Sequence, residues 1–229
     1  MKKIWYSIKT ICLSYLVQTI AMFIGIIFYI ILNKELSEIN MDILIKYLII
    51  AVTISTVPIS LFLLKKYRLK ETKIEYPKLL LMIPLGIGIS LFYNMLTINL
   101  LEEGTLLNLN IILLILYTAI LGPIYEELVF RYVALRKAKE VYKENTAIIV
   151  ITTFFALLHT GIISIIYAFI IGLILAYVYK KHKNILYPIM IHISANFTSI
   201  FIKGFNIWLL LISIIILVLT YIFLKKQKH

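Results

Sequence analysis

Long apolar runs fill this chain, and short polar segments separate them. A helix that crosses a membrane needs about 20 apolar residues, because each residue rises ~1.5 Å and the hydrocarbon layer is ~30 Å thick. Eight runs approach that length and predict eight helices. They cover residues 10–32, 43–64, 79–100, 107–136, 146–160, 162–179, 185–202 and 207–224. The sequence therefore predicts an all-α polytopic membrane protein with about eight transmembrane helices.

The polar segments between the runs alternate in charge. The basic segments are residues 2–9, 65–78, 136–145, 180–183 and 225–228. Two of the intervening segments are acidic, through Glu35, Glu38 and Asp42 in one and Glu102 and Glu103 in the other. Because basic loops mark the cytoplasmic side of a membrane protein, both termini are predicted to face the cytoplasm.

The composition is typical of a membrane protein and excludes one class of partner. Hydrophobic residues make up 62% of the 229 positions and charged residues only 15%, which leaves no room for a separate soluble domain. One transmembrane domain over residues 1–229 is expected. The net charge of +12 lies in short clusters between apolar runs, so membrane topology explains it and no nucleic-acid partner is expected. The first apolar run lacks a small-x-small cleavage site and is predicted to be an uncleaved span.

The stretch LGPIYEELVFR at 121–131 interrupts the fourth run with charge. An ionisable group at the centre of a membrane helix costs about 2.5–3.5 kcal/mol and usually has a partner in the protein interior. Glu127 and Arg131 are four residues apart, so one helical face brings them together as an ion pair. Glu126 lies about 100° around the helix and has no local cation. A simpler alternative is that these residues form the amphipathic exit of a span.

The fourth run is also too long for one perpendicular span, since about 30 residues measure ~45 Å. Gly122 and Pro123 predict a break or kink within it. If the helix restarts at Pro123 and leaves the membrane near residues 136–139, Glu126 lies ~15–20 Å deep, near the middle of the membrane.

Two of the four histidines lie inside apolar runs. His159 closes FFALLH, one turn after Phe155, and His192 begins HISAN, one turn before Asn196. A lone buried histidine is most often a satisfied core residue. Two histidines, two glutamates, an arginine and an asparagine on three runs instead favour a common polar site.

The residue inventory excludes several reactions. An intramembrane aspartyl protease needs two aspartates, and Asp42 is the only one in the chain. The HExxH zinc motif, the P-loop and GxGxxG are absent. Ser164 and Ser194 could be nominated as serine nucleophiles, but the sequence around Ser164 is a poor nucleophile motif. A carboxylate beside imidazoles and a carboxamide suits activation of water and polarisation of a carbonyl.

The ordered set EELVFR, FALLH and HISAN fits the patterns EExxxR, FxxxH and HxxxN. In this order, on successive membrane helices, it resembles the CPBP family of intramembrane proteases, also called the Abi or CAAX-protease-like family. The likeness covers residues 117–197, which would form the catalytic core. Tyr132 departs from the many relatives that have glycine after the motif arginine, a change that concerns local packing.

The resemblance implies a role for each charged residue of the first motif. Glu126 would activate the attacking water, and Glu127 would orient the polar network through a histidine. Arg131 would hold the helix and the pair of carboxylates in place.

The resemblance also assigns the other two motifs. His159 and His192 would help to bind the water and the scissile carbonyl, and Asn196 would help to hold the oxyanion. No cofactor is required by this chemistry, since a glutamate-activated water needs no metal. A divalent metal such as zinc stays an alternative, with Glu126, His159 and His192 as the candidate ligands.

The implied function is that of an intramembrane endopeptidase that hydrolyses a peptide bond of a membrane-associated peptide or protein. The Ile- and Lys-rich chain looks bacterial, so a multi-pass position in the plasma membrane is expected, with a peptide pheromone, bacteriocin or membrane-protein tail as substrate. The alternatives are a bacteriocin self-immunity or scaffold protein without proteolysis, and a small transporter or proton channel. The sequence leaves the oligomeric state open.

Overall fold

The computed structural model of the chain describes residues 2–32, 40–67, 70–100 and 111–226. These ranges form helices at every predicted place and contain no strand. The helices are α1 (Lys2–Leu32), α2 (Met41–Tyr67), α3 (Tyr76–Thr97, with a turn at Leu81), α4 (Ile111–Lys139), α5 (Glu144–Leu157), α6 (Ile162–His182), α7 (Leu186–Ile200) and α8 (Ile207–Lys226). The prediction of an all-α fold is confirmed.

Six of these eight helices are long and apolar enough to cross a membrane. The other two, α5 and α7, have 14 and 15 residues, so they reach ~21–23 Å and fall short of a full crossing. The helices and the multi-pass architecture are therefore as predicted, whereas the number of crossings and the cytoplasmic position of the termini stay predictions. The predicted acidic loop residues Glu35, Glu38, Glu102 and Glu103 lie outside the described residues.

Helix α4 lies at the centre of the bundle. It contacts α1, α2, α5 and α7, and every residue from Leu128 to Leu135 is buried. The peripheral helices are apolar on their outer faces, as the exposed side chains of Phe23, Ile54 and Trp208 show. Such faces are typical of helices that contact lipid. The charged residues of α4 are thus surrounded by protein on the side that carries Arg131.

Glycine sets the distance between α3 and α7. A Cβ added at Gly86 would lie 2.0 Å from the Ser194 hydroxyl oxygen and 2.3 Å from the Ile191 carbonyl oxygen. No side chain larger than hydrogen fits there, so the two backbones approach as closely as small residues allow in membrane helices. Because His192 follows Ile191 directly, this contact helps to fix the position of the histidine.

Of the break or kink predicted at Gly122 and Pro123, the break is wrong, because α4 continues through both residues, and the kink stays a prediction. The helix widens into π-helical turns over Ile115–Leu121 and Leu128–Leu135, with α-helical turns over Gly122–Glu127 between them. Proline lacks the N–H that a helical turn requires, and a widened turn accommodates that loss without ending the helix. The Glu126–Glu127 pair therefore lies on a short α-helical segment between two π-helical ones.

Candidate active site

The buried side of α4 carries the predicted ion pair. Arg131 Nη1 donates to Glu127 Oε1 at 2.9 Å, and both side chains are almost completely buried, with relative exposures of 2% and 0%. Arg131 Nη2 donates to the Gly172 carbonyl oxygen of α6 at 3.2 Å. The guanidinium thus makes one hydrogen bond within α4 and one to α6, and these bonds stabilise a charge that burial would otherwise make costly.

Two further residues shape the arginine pocket. The guanidinium lies over the Phe155 ring, 4.3 Å from its centroid, in a favourable cation–π position. A Cβ at Gly172 would lie 2.8 Å from Thr152 Cγ2 and 3.2 Å from Arg131 Nη2, so glycine is needed for α6 to come this near. Gly172 was not predicted as part of the site, although a glycine in the middle of an apolar run was the available signal.

His192 links the two glutamates. Its Nδ1 lies 2.9 Å from Glu127 Oε1, and because a carboxylate oxygen accepts, the imidazole carries a hydrogen on Nδ1. Its Nε2 lies 3.7 Å from Glu126 Oε2, too far for a direct hydrogen bond. Glu127 therefore orients the imidazole, and the other ring nitrogen points toward Glu126.

Glu126 has a different environment from its neighbour. Its side chain is 27% exposed, against 0% for Glu127, and it lines a cavity of about 250 Å³. Within the described part of the chain, no lysine or arginine forms an ion pair with it. The carboxylate of Glu126 thus faces the cavity, with an imidazole nitrogen as its polar neighbour.

The same cavity receives residues from all three motifs. His159, His192 and Asn196 line it together with Glu126. Glu127 and Arg131 lie behind this wall and reach it through His192. All six predicted residues therefore belong to one connected region, although only four line the cavity.

Other polar side chains complete the wall of the cavity. Thr118, Tyr167 and Ser199 line it and were missed by the sequence analysis, while Ser164, also in the wall, was weighed only as a nucleophile. Tyr167 stacks on a tyrosine of α3, Tyr93, with ring centroids 4.1 Å apart. Hydroxyl residues inside apolar runs were the signal for these positions, but such residues also occur where they bond only to their own helix.

His159 does not lie inside a helix, which corrects the prediction of a run to residue 160. Helix α5 ends at Leu157, and His159 belongs to the turn before α6. Its Nδ1 lies 3.1 Å from the Phe155 carbonyl oxygen, so Nδ1 is the donor and Nε2 is left without that hydrogen. The ring packs edge-on against Phe155, with centroids 5.0 Å apart. A turn directs this histidine into the cavity, where a longer helix was expected to do so.

Asn196 is held by a contact to α4. Its Nδ2 donates to the Thr118 carbonyl oxygen at 2.9 Å. One of the two amide hydrogens is used in this bond, and the second remains for another acceptor.

A metal centre finds no support in the donor geometry. Among the residues that the structure describes, no group of three or more His, Cys, Asp or Glu side chains is placed to hold a metal ion. Glu126, His159 and His192, the predicted candidates, line one cavity but do not form such a group.

Fold and site together define a multi-pass helical membrane protein with a carboxylate and imidazoles around a cavity. Residues 108–198 match the family model described as Rce1-like, the type II CAAX prenyl endopeptidase Rce1-like proteins. This confirms the resemblance to the CAAX-protease-like family on the segment that carries all three motifs, and at family level it implies a membrane protease. No curated protein and no solved structure matches the chain.

Proposed function

We propose that this chain is an intramembrane endopeptidase in which Glu126 activates water to hydrolyse a peptide bond. The observation that carries the proposal is the contrast between two adjacent glutamates. Glu127 Oε1 is engaged by Arg131 and His192, whereas Glu126 opens onto the cavity. A general base must reach water and the scissile bond, and of the two glutamates only Glu126 meets that requirement.

The nucleophilic water would bind between Glu126 and His192. A separation of 3.7 Å between Glu126 Oε2 and His192 Nε2 leaves room for one water that contacts both atoms at ordinary hydrogen-bond distance. The hydrogen on His192 Nδ1 makes Nε2 of the neutral ring an acceptor. The water would then direct one hydrogen to each residue and its oxygen toward the substrate carbonyl.

In the first chemical step, Glu126 takes a proton from the water while the water oxygen bonds to the carbonyl carbon of the substrate. The π electrons of the substrate carbonyl move to the carbonyl oxygen, which becomes an oxyanion. In the second step, the oxyanion collapses, the C–N bond breaks, and Glu126 returns its proton to the leaving amine. One water is consumed, one carboxylic acid and one amine are formed, and the proton of the acid then passes to the amine to give a carboxylate and an ammonium group.

The remaining cavity residues would bind the reacting groups. The free Nδ2 hydrogen of Asn196 is positioned to donate to the oxyanion. His159 would accept a hydrogen bond at Nε2 from the substrate amide or from a second water, since its Nδ1 is bonded to the Phe155 carbonyl oxygen. Arg131 and Glu127 would act only by holding His192.

The proposed substrate is a membrane-associated peptide or protein in the plasma membrane of a bacterium. The matching family is described as one of CAAX prenyl endopeptidases, which supports a substrate held at the membrane near its carboxyl terminus. Because prenylated CAAX proteins are uncommon in bacteria, we propose a peptide pheromone, a bacteriocin or a membrane-protein tail.

The test compares the peptide termini in membranes of cells that express the wild-type chain or Glu126→Gln at matched abundance. Glu140→Gln is the matched control, because Glu140 forms a surface ion pair with Lys137 away from the cavity. Termini found with the wild type and the control but not with Glu126→Gln would support proteolysis. Identical profiles in all three, with any host phenotype preserved, would instead favour a self-immunity or scaffold protein.

A further inference from the structure

Pro123 leaves a gap in the backbone hydrogen bonding of α4, three residues before Glu126. The Gly122 N–H donates to the Tyr117 carbonyl oxygen, a bond that spans five residues. The next bond in this π-helical register would run from the N–H of residue 123 to the carbonyl oxygen of Thr118. Proline has no N–H, so its backbone cannot donate to Thr118.

The side chain of Asn196 fills this gap from α7. Its Nδ2 donates to the Thr118 carbonyl oxygen at 2.9 Å, which is the acceptor that Pro123 leaves without a backbone donor. A carbonyl oxygen can only accept, so the amide must direct its NH₂ group toward Thr118. An apolar side chain of similar size at position 196 would leave the carbonyl unpaired beside the cavity.

The second observation is where this bond lies in the site. Asn196 is one helical turn after His192 on α7, and Thr118 is about two turns before Glu126 on α4. The general base and its imidazole neighbour are thus on different helices, with Glu126 Oε2 and His192 Nε2 3.7 Å apart. The bond from Asn196 to Thr118 joins the same two helices, one turn after His192 on α7.

We propose that Asn196 is a positioning residue: its amide replaces the backbone hydrogen bond that Pro123 cannot make and thereby holds α7 against α4, with His192 in register with Glu126. This inference rests on the proposed function for its effect on catalysis, but the helix contact itself does not depend on any activity. It adds a role to the oxyanion contact proposed for the second amide hydrogen.

Pro123 provides the means to test this role. In a Pro123→Ala chain, the N–H of residue 123 is restored and can donate to the Thr118 carbonyl oxygen. Asn196 is then no longer needed for that bond. Removal of the Asn196 amide should therefore cost less when residue 123 is alanine than when it is proline, and a double-mutant cycle measures this difference.

The experiment measures thermal unfolding of the full-length chain in lipid nanodiscs for the wild type, Asn196→Ala, Pro123→Ala and the double variant. Loss of a hydrogen bond to the half-buried Thr118 carbonyl oxygen is expected to lower the midpoint of Asn196→Ala by roughly 3–8 °C. At least half of this shift should be absent when the same change is made in the Pro123→Ala chain. Ser199→Ala is the matched control, because Ser199 lies on the same cavity wall and its hydroxyl bonds only to the Asn196 carbonyl oxygen of its own helix.

Equal midpoint losses in the proline and alanine backgrounds would overturn the inference. Cleavage of the substrate gives the second measurement: Asn196→Ala should lower kcat, and Pro123→Ala should restore it at least tenfold in the double variant. Restored stability with kcat still at the level of Asn196→Ala would overturn the positioning role in catalysis and leave Asn196 as an oxyanion donor. If the wild type cleaves nothing, the proposed function fails, while the unfolding cycle still tests the contact.

Discussion

Glu126 and Glu127 are neighbours in sequence, but α4 places them in two different regions of the molecule. The Glu127 side is closed, with an arginine, an imidazole and the Phe155 ring packed around a carboxylate that has no exposure. The Glu126 side is open to a cavity, and no lysine or arginine of the described residues forms an ion pair with this carboxylate. A rotation of about 100° around the axis of one helix thus separates Glu127, which holds the site together, from Glu126, which is placed to react.

The largest expected effect comes from the open side. Glu126→Gln keeps the size of the side chain but removes the base, so the cleavage rate should fall by about 10²–10⁴-fold. The unfolding midpoint should stay within about 2 °C of the wild type, because no ion pair is lost. The measurement is the rate of product formation from a substrate identified by the terminal profiles. A rate near that of the wild type would remove Glu126 from the mechanism.

Substitutions on the closed side should lower the free energy of unfolding. Arg131→Met leaves Glu127 buried without its cation and the Gly172 carbonyl oxygen without its donor, at a cost of about 3–5 kcal/mol. Arg131→Lys should recover only part of this loss, since an ammonium cannot reproduce the planar two-bond contact. Lys137→Met is the control, because its ion pair with Glu140 is exposed and is worth about 0–1 kcal/mol. Chemical unfolding in detergent micelles would measure the three changes, and equal losses for Arg131→Met and Lys137→Met would contradict this account.

A smaller effect is expected where α6 meets the arginine pocket. Gly172→Ala places a Cβ 2.8 Å from Thr152 Cγ2, and such overpacking typically costs about 1–3 kcal/mol. Gly204→Ala is the matched control, since a Cβ there meets nothing within 4 Å. The comparison of unfolding free energies decides the point: if both variants are as stable as the wild type, α6 is not held tightly against Arg131.

The smallest effect concerns a third carboxylate, which lies outside the membrane-spanning segments. Glu71 accepts a hydrogen bond from the Ile185 N–H at 3.0 Å, and burial raises its pKa above the ordinary value of 4.5, although this bond and Arg136 oppose the shift. The folded chain therefore binds this proton more tightly than the unfolded chain, so the contribution of Glu71 is most favourable below its unfolded pKa and is lost as the pH rises through the folded pKa.

Glu71→Gln removes this titration and keeps an oxygen that can accept from Ile185. The unfolding midpoint of the wild type, relative to that of Glu71→Gln, should consequently decline as the pH rises from below the ordinary pKa of 4.5 to above the raised pKa of the folded chain. Midpoints recorded across this range in one detergent would show the trend. A relative midpoint that rises with pH would contradict this direction, because it would mean that the folded chain favours the charged form of Glu71.

Local rules account for what the sequence predicted correctly. Apolar run lengths locate all eight helices, and four-residue spacing places Glu127 beside Arg131. The ordered motifs also indicated which helices share the site. These features depend on residues close together in the chain, or on a pattern already known from a family.

Features that depend on tertiary contacts were not predictable in this way. The early end of α5 puts His159 in a turn, the widened turns of α4 carry the chain through Pro123, and the approach of α6 depends on Gly172. The approach of α6 depends on contacts with residues distant in sequence, and helix propensity and hydrophobic periodicity do not predict where one helix ends early or where another widens.

The central claim is that Glu126 does the chemistry while Glu127 holds the site together. The most direct test compares purified Glu126→Gln and Glu127→Gln with the wild type, with both the cleavage rate and the unfolding midpoint measured in the same nanodisc preparation. We predict that Glu126→Gln loses cleavage at an unchanged midpoint, whereas Glu127→Gln lowers the midpoint as it weakens the bonds to Arg131 and His192. Wild-type cleavage by Glu126→Gln, or an unchanged midpoint for Glu127→Gln, would contradict this division between the two glutamates.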